Sequence, residues 1–462
     1  MTDSSGEFPQ IKQSKSMTLL PPPNINTKII KQIGNYILGV ELGSGAFGKV
    51  VLGKHIITGE TVAIKILDKI ILSQIPEYYE SVKKEMSILK LVKHKYIIQL
   101  YEILQTPNHI FIVMEYCDGK DIMDYILSKN FLSELEALKY FQQLINAFFY
   151  LHSQNIAHRD IKIDNILLDR NKNLKLIDFG LSIKYSNEKL LEQPCGTIVY
   201  SAPEILLGQP YHGMLADVWS SGIVLYGMLS GYLPFNDNDD NINKKLIIKG
   251  KIDIPEYINP LTKDLLIHML DINPMTRYTL LDIKDHPWFN MSKFIFTRGI
   301  IIGYHKIPVD ENILDLCEHY NYDKNQIRNS IIKNKFNSGT ALYYLLVRQR
   351  SKKGITSVSD FYSKDFINFI YDQSNLIGNN KNKFENEKEN FENDKNKRKL
   401  EEKIISSKRD ESLKLEDNLS FVPKLELITT PRKNEKTINY NDKSSNLNNE
   451  NYEKQRQKGT RR

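Results

Sequence analysis

The chain has 462 residues, room for one large domain or several small ones, and 41% hydrophobic residues are enough for a real core. Its 63 basic and 56 acidic side chains leave a net +7, too mild to argue for nucleic-acid binding. Three cysteines, at 117, 195 and 317, lie too far apart for a disulfide framework or a zinc site, and no apolar run reaches the length of a membrane span.

Residues 1–35 are polar, contain Pro21-Pro22-Pro23 and read as a disordered arm. The N-terminus has no signal-type apolar region, and Thr2 excludes N-myristoylation, which predicts a cytoplasmic protein. Leu42-Gly43-Ser44-Gly45-Ala46-Phe47-Gly48-Lys49-Val50 follows. Glycines at 43, 45 and 48 let backbone N–H groups approach phosphates. A dinucleotide fold uses the same spacing, but the residues after Gly48 read as a return strand, so the loop is a hairpin and not a strand-to-helix turn. Val62-Ala63-Ile64-Lys65 is an apolar strand ending on a lysine, and Glu85 sits on the next helical run. Phe111-Ile112-Val113-Met114-Glu115-Tyr116-Cys117 reads as a strand running out into a connection, with Asp121 just beyond. Ser133-Glu134-Leu135-Glu136 is a capping box that opens a helix.

The densest chemistry lies in His158-Arg159-Asp160-Ile161-Lys162-Ile163-Asp164-Asn165, followed thirteen residues later by Asp178-Phe179-Gly180. Asp160 can accept the proton of an attacking hydroxyl, and Lys162 can neutralise charge on a moving phosphoryl group. Asn165 and Asp178 offer oxygens to a hard divalent cation. Cys195-Gly196-Thr197, Ala202-Pro203-Glu204 and Asp217-Val218-Trp219 come next, and Arg277 is placed to pair with a buried Glu204. This unit runs from 36 to 289. A linker spans 290–306. Residues 307–350 show three short helical patterns, with cap signals at Asp310, at Asp323 and at Ser338-Gly339, each carrying one apolar face. Their apolar positions include Ile313, Leu314, Leu316 and Cys317, then Ile327, Ile331 and Ile332, then Ala341, Leu342, Tyr344 and Leu345. From 351 to 462 the sequence reads as a low-complexity, mostly disordered tail, the disorder expected from about Gly378 onward, where Asn, Lys and Glu accumulate. Its basic cluster at 395–399 is either a solvated charge run or a nuclear-import signal.

These motifs, in this order, resemble a serine/threonine protein kinase of the calcium/calmodulin-dependent group. Gly231-Tyr232-Leu233-Pro234-Phe235-Asn236-Asp237, Ile254-Pro255-Glu256-Tyr257 and the three-helix unit are similar to the AMP-activated protein kinase catalytic subunit and its relatives. The resemblance implies an α+β, bilobed kinase fold with a small, mainly β N-lobe and a large, mainly α C-lobe. A ubiquitin-associated-like module at 307–350, autoinhibitory in that subfamily, would follow, then the disordered tail. It implies ATP and Mg²⁺ as cofactors and Ser or Thr of protein substrates as acceptor. It places residues 42–50 over the phosphates, with Lys65 on them and Glu85 holding Lys65. Val50, Ala63 and Leu167 would enclose the adenine, whose edge would meet the main chain of Glu115 and Cys117. Asp121 would face the ribose or a basic substrate residue. Asn165 and Asp178 would hold the metal, and Lys162 and Thr197 would organise the site around Asp160. Leu181 matches the pattern linked to serine preference.

Three positions depart from that pattern. Gln193 stands where the activation-loop threonine belongs, and its amide is expected to accept from Arg159 instead. Ile163 and Ile198 replace two prolines. The tail is too polar for the subfamily's subunit-binding domain, so a stable heterotrimer is not expected, nor are nucleic-acid or membrane partners. The alternative from another class is a catalytically silent nucleotide-binding scaffold. Intact Lys65, Glu85, Asp160, Asn165 and Asp178 speak against it.

Overall fold

The computed structural model describes residues 32–377, apart from 46–47, 120 and 187–188. The arm before residue 32 and the tail from 378, with its basic cluster, lie outside the described residues.

Strands β1 (Gln32–Ile33), β2 (Tyr36–Gly45), β3 (Gly48–His55) and β4 (Thr61–Asp68) pair antiparallel in chain order. Helix α1 (Lys69–Gln74) is capped by Asp68. Helix α2 (Pro76–Leu91) opens on a proline, whose missing N–H would have no partner there anyway. Strands β5 (Leu100–Gln105) and β6 (His109–Glu115) complete a six-stranded sheet in the order β1-β2-β3-β4-β6-β5. Side chains alternate along β3 and β4. Val51, Val62 and Ile64 are buried, while Val50, Ala63 and Lys65 share the opposite, partly open face.

The second half is helical. Helix α3 (Ile122–Leu127) is capped by Asp121, and α4 (Glu134–His152) opens on the capping box of Ser133 and Glu136. The short strands β7 (Ile156–Ala157), β8 (Ile166–Leu168), β9 (Leu174–Leu176) and β10 (Ile183–Lys184) pair as β8 with β9 and β7 with β10. Helices α5 (Pro203–Leu206), α6 (Gly213–Ser230), α7 (Asp240–Lys249), α8 (Pro260–Met269) and α9 (Leu280–Asp285) follow. Helix α6 is apolar nearly all round and is therefore enclosed, with Asp217 and Trp219 both at 0% exposure. Arg277 and Glu204 form a buried bidentate ion pair at 2.7 and 2.8 Å.

Three helices occupy 311–352: α10 (Glu311–Glu318), α11 (Lys324–Ile332) and α12 (Ser338–Lys352), capped by Asp310, Asp323 and Asn337. They do not form a satellite. Ile313, Leu314, Ile327 and Leu342 belong to one hydrophobic core with Tyr36, Val62, Tyr101 and Phe111 of the sheet. One apolar face per helix therefore fails for α12, which also buries Tyr343, Leu346 and Val347 because its far side lies on β5. Ile332, read as part of the apolar face of α11, is exposed.

Two boundaries shift, and the linker between them is seated on the fold. Residues 32–35 are folded, not part of the arm: β1 pairs with β2, and Asn35 Nδ2 donates to Tyr322 Oη at 2.9 Å. The linker 290–306 lies along α4, where Thr297 exchanges hydrogen bonds with Asn146 and Ile300 N donates to Lys93 O at 2.9 Å. Gly299 allows this approach, since a Cβ there would come within 2.4 Å of the Tyr150 ring. Residues 351–377, read as tail, are folded as far as α13 (Lys364–Ile377). Phe361, Phe366 and Ile370 pack there on Ile300 and take this apolar face out of water.

Candidate active site

The glycine-rich segment is the β2–β3 hairpin, with Gly43 opposite Val50, Ser44 opposite Lys49 and Gly45 opposite Gly48. Ala46 and Phe47 lie outside the described residues. Gly48 must be glycine because a Cβ would fall 1.9 Å from Ile66 O. Gly43 is different: a Cβ there meets nothing within 4 Å, so no neighbour demands glycine. Open space above a bare backbone is what an incoming phosphate needs. Leu42 is exposed at the same edge. Lys49 reaches back toward Glu41 at 3.8 Å, a solvated pair of little energetic weight.

On the cleft face of the sheet, Lys65 Nζ donates to both Glu85 oxygens, at 2.7 and 2.8 Å. Glu85 is buried on the inner side of α2. Burial opposes the charge on Lys65, but Glu85 and Asp178 outweigh it and hold its ammonium above the ordinary lysine value. Asp178 mirrors this. Burial alone would raise its carboxyl, yet Lys65, the Gly180 amide and Lys162 keep it below the usual range and thus ionised. Its backbone is left-handed, at φ 59°. The β8–β9 hairpin sets Asn165 beside it, since Ile166 pairs with Leu176 and Ile177 N donates to Asn165 O at 3.0 Å.

Asp160 is the centre of the second cluster. Its Oδ1 accepts from Thr197 Oγ1 at 3.2 Å. Its Oδ2 faces Lys162 Nζ at 3.0 Å and accepts from Asn165 Nδ2 at 3.0 Å. Lys162 Nζ also donates to Thr197 Oγ1 at 3.2 Å, so four residues from two loops converge. Because Asn165 spends its amide N–H groups on Asp160, its carbonyl oxygen is the end left for a cation. Among the described residues no group of three or more His, Cys, Asp or Glu could hold a metal by itself. A hard cation that takes phosphate and water oxygens alongside Asn165 and Asp178 fits that pair.

Buried Asp217 fixes the loop from beneath: it accepts from His158 N at 2.9 Å and Arg159 N at 2.8 Å, holding Arg159 at a left-handed φ of 66°. The Arg159 side chain donates to Leu181 O at 2.8 Å and to Tyr211 Oη at 3.3 Å. The expected bond to the Gln193 amide does not form. Tyr211 takes that place and donates to the Gln193 carbonyl at 3.0 Å. Ile163 and Ile198 sit in short 3₁₀ turns, so neither lost proline disrupts the loop.

The connection between the lobes, or hinge, begins at Glu115. Its N–H is bonded to Gln99 O at 2.9 Å and its carboxylate to Lys175 at 2.7 Å. Burial pushes the Cys117 thiol up, so it stays neutral. Asp121 caps α3, accepting from Met123 N at 2.7 Å, and pairs by backbone with Leu167. Val50, Ala63 and Leu167 are all partly exposed apolar positions, a slot that a flat ring would cover. Sequence reasoning missed the supports around this site, namely Tyr211, Lys175, Arg348 and Tyr362. All act from far along the chain and carry no local pattern.

A family described as "Protein kinase domain" matches residues 36–289, more than half of the chain. The curated relative "Serine/threonine protein kinase OSK4" of Oryza sativa subsp. indica is 40% identical over 320 residues, covering 68% of this chain. The chain spans 62% of the length of that relative. The chain belongs to the protein kinase family.

Proposed function

We propose that this protein is an ATP-dependent serine/threonine kinase, similar to the AMP-activated protein kinase catalytic subunit, that acts on protein substrates. The observation that carries this reading is Asp160, held by Thr197, Lys162 and Asn165 in one orientation. A substrate hydroxyl gives its proton to Asp160 as its oxygen bonds to the γ-phosphorus. The bond to the bridging oxygen breaks, and ADP leaves with that electron pair. Lys65, steadied by Glu85, positions the phosphates, and Lys162 stands where charge builds on the transferred group. Backbone N–H groups of the glycine hairpin cover the phosphates. Val50, Ala63 and Leu167 enclose the adenine, the main chain of Glu115 and Cys117 meets its edge, and Asp121 lies toward the ribose. When bound, Mg²⁺ at Asn165 and Asp178 supplies neutralisation of charge on the phosphate oxygens.

Two regulatory features belong to the same reading. The module at 307–350 restrains the kinase; the support is its shared core with the N-lobe and the contact of Arg348 with Tyr116 O at 2.6 Å. Activity does not depend on a phosphate at position 193, because Tyr211 already joins Arg159 to the activation segment. The test is transfer of labelled γ-phosphate from MgATP to basic peptides whose acceptor is Ser, Thr or Ala. Transfer to the first two only is the expected result. Nucleotide binding without transfer would leave the scaffold in its place.

A further inference from the structure

We propose that Tyr362 is a positioning residue that sets nucleotide affinity from behind the hinge. This rests on the kinase reading above and deepens it. The hinge has two sides. Its inner side is the proposed adenine edge. Its outer side is gripped by groups from the C-terminal part of the chain. Arg348 Nη2 donates to Tyr116 O at 2.6 Å, and the same guanidinium lies 3.8 Å from Glu60. Below it, Tyr362 Oη donates to Asp169 Oδ2 at 2.9 Å and contacts Lys95 O at 3.4 Å.

The ring of Tyr362 meets two ammonium groups, 5.0 Å from Lys95 Nζ and 5.3 Å from Lys175 Nζ. Lys95 stands in the approach to β5, in the N-lobe, and Lys175 is in β9, in the C-lobe. One aromatic ring thus touches both lobes at their pivot. Lys175 is 1% exposed and is bonded to Glu115 at 2.7 Å, so the ring backs a lysine that holds the first hinge residue. Asp169 is equally close to the site. Gly119, at the hinge exit, lies so near that a Cβ would come within 2.1 Å of Asp169 O, and Gly119 N donates to Leu168 O at 3.0 Å. The adjacent Leu167 is the proposed floor of the adenine slot.

Tyr362 is itself firmly seated. Its N–H donates to Asp360 at 3.0 Å, its neighbour Phe361 packs on Phe366, and Ser359 Oγ meets Tyr343 Oη of α12 at 2.6 Å. Enclosure of the hydroxyl, with Glu115 and Asp169 nearby, raises the phenol well above its ordinary value, so it remains a protonated donor. The segment after the module therefore acts as a strap whose working residue props the hinge in the shape that receives adenine.

The test uses the full chain with Tyr362→Phe and Tyr362→Ala. MgATP affinity is measured by calorimetry, together with kcat, KM for ATP and for peptide, and thermal unfolding. Tyr362→Ala is expected to weaken MgATP binding and raise KM for ATP about tenfold, with KM for peptide unchanged. Tyr362→Phe keeps the ring and loses the hydroxyl's bond to Asp169 and its contact with Lys95 O. Because that hydroxyl reaches the nucleotide only through the hinge, about threefold is expected, a fraction of the weight of one hydrogen bond. Should the alanine variant fail to fold, the phenylalanine variant decides alone. A lowered melting temperature with unchanged nucleotide affinity in Tyr362→Phe would overturn the proposal and leave Tyr362 a packing residue. Wild-type protein that binds no MgATP would sink the kinase reading and this proposal with it. Wild-type binding matched by both variants sinks the proposal only.

Discussion

On the cleft side of the hinge, charged groups meet one another at close range: Lys65 on Glu85, and Lys162 on Asp160. Behind the hinge, charged groups are enclosed by rings: Lys93 sits under Phe336 and Tyr344, while Lys95 and Lys175 meet Tyr362. The first arrangement keeps charge available for a substrate that arrives with its own. The second uses charge to hold elements together and costs desolvation to do so. On the proposed kinase reading, front and rear divide the work, chemistry on one side and adjustment on the other.

The division breaks if the front tolerates loss of its central group. Asp160→Asn is expected to lower kcat by about 10²–10⁴-fold while MgATP affinity stays near normal, since Asp160 acts on the acceptor. Turnover and calorimetric affinity check both halves of that statement. Lost nucleotide binding would mean that Asp160 holds the fold of the site and not only its chemistry.

The next largest effect belongs to the rear. Burial pulls the Lys93 ammonium down to about 8. Its folded value therefore lies below its unfolded one. Between pH 8 and the ordinary lysine range the unfolded chain holds a proton that the folded chain has released, so this group's contribution to stability rises with pH across that window and is least favourable below it. The rings of Phe336 and Tyr344, at 5.0 and 5.1 Å, offset part of the cost at neutral pH. Lys93→Met should stabilise the protein at pH 7 by roughly 2 kcal/mol and abolish the rise above pH 8. Denaturant unfolding of both proteins at pH 7 and 9.5 reads this directly. An equal pH response in the two would remove Lys93 from the account.

Tyr211→Phe sharpens the comparison, because Tyr211 is a neutral group that does duty at the front. Losing its bonds to Arg159 and Gln193 should reduce kcat roughly tenfold, the scale of one or two hydrogen bonds. Phosphatase treatment of the wild type, checked by mass spectrometry, should change little. Collapse on dephosphorylation, rescued by phosphate on Ser182 or Ser186, would put the control elsewhere. The smallest effect is expected at the rim of the module, where Lys352 meets Glu60 at 2.5 Å. Glu60→Lys or Lys352→Glu alone should loosen docking and raise kcat about twofold to threefold, and the double exchange should restore part of it, since Arg348 still faces position 60. Unchanged turnover in both single variants would refute restraint.

The arrangement of the front could be read from the sequence because the kinase motifs hold fixed residue types at short spacings. Asp160, Asn165 and Asp178 lie within one hairpin-length of each other, and the alternation along β3 and β4 already puts Val50, Ala63 and Lys65 on one face. The rear could not, because its contacts join residues hundreds of positions apart. Arg348 reaches Tyr116 across 232 residues, and Tyr362 reaches Asp169 across 193. The Asn-, Lys- and Glu-rich composition begins only near Gly378, and a tail drawn from 351 takes in a stretch that does not share it: Phe366, Phe369 and Ile370 have the i, i+3, i+4 spacing of a helix face, and Ser363 caps it through its bond from Phe366 N. That local signal was present. The Gln193 expectation failed for another reason. A nearby acceptor for Arg159 was assumed, and a tyrosine 18 residues downstream supplied it.

The position of Tyr362 in the chain also sets an order in time. Synthesis runs from the N-terminus, so the catalytic unit that closes at Phe289 leaves the ribosome roughly seventy residues before the ring that seats behind its hinge. At about 5–20 residues per second, every newly made molecule passes several seconds with its pivot unpropped. Nascent chains stalled between those two points would be the natural source of the loosely hinged form.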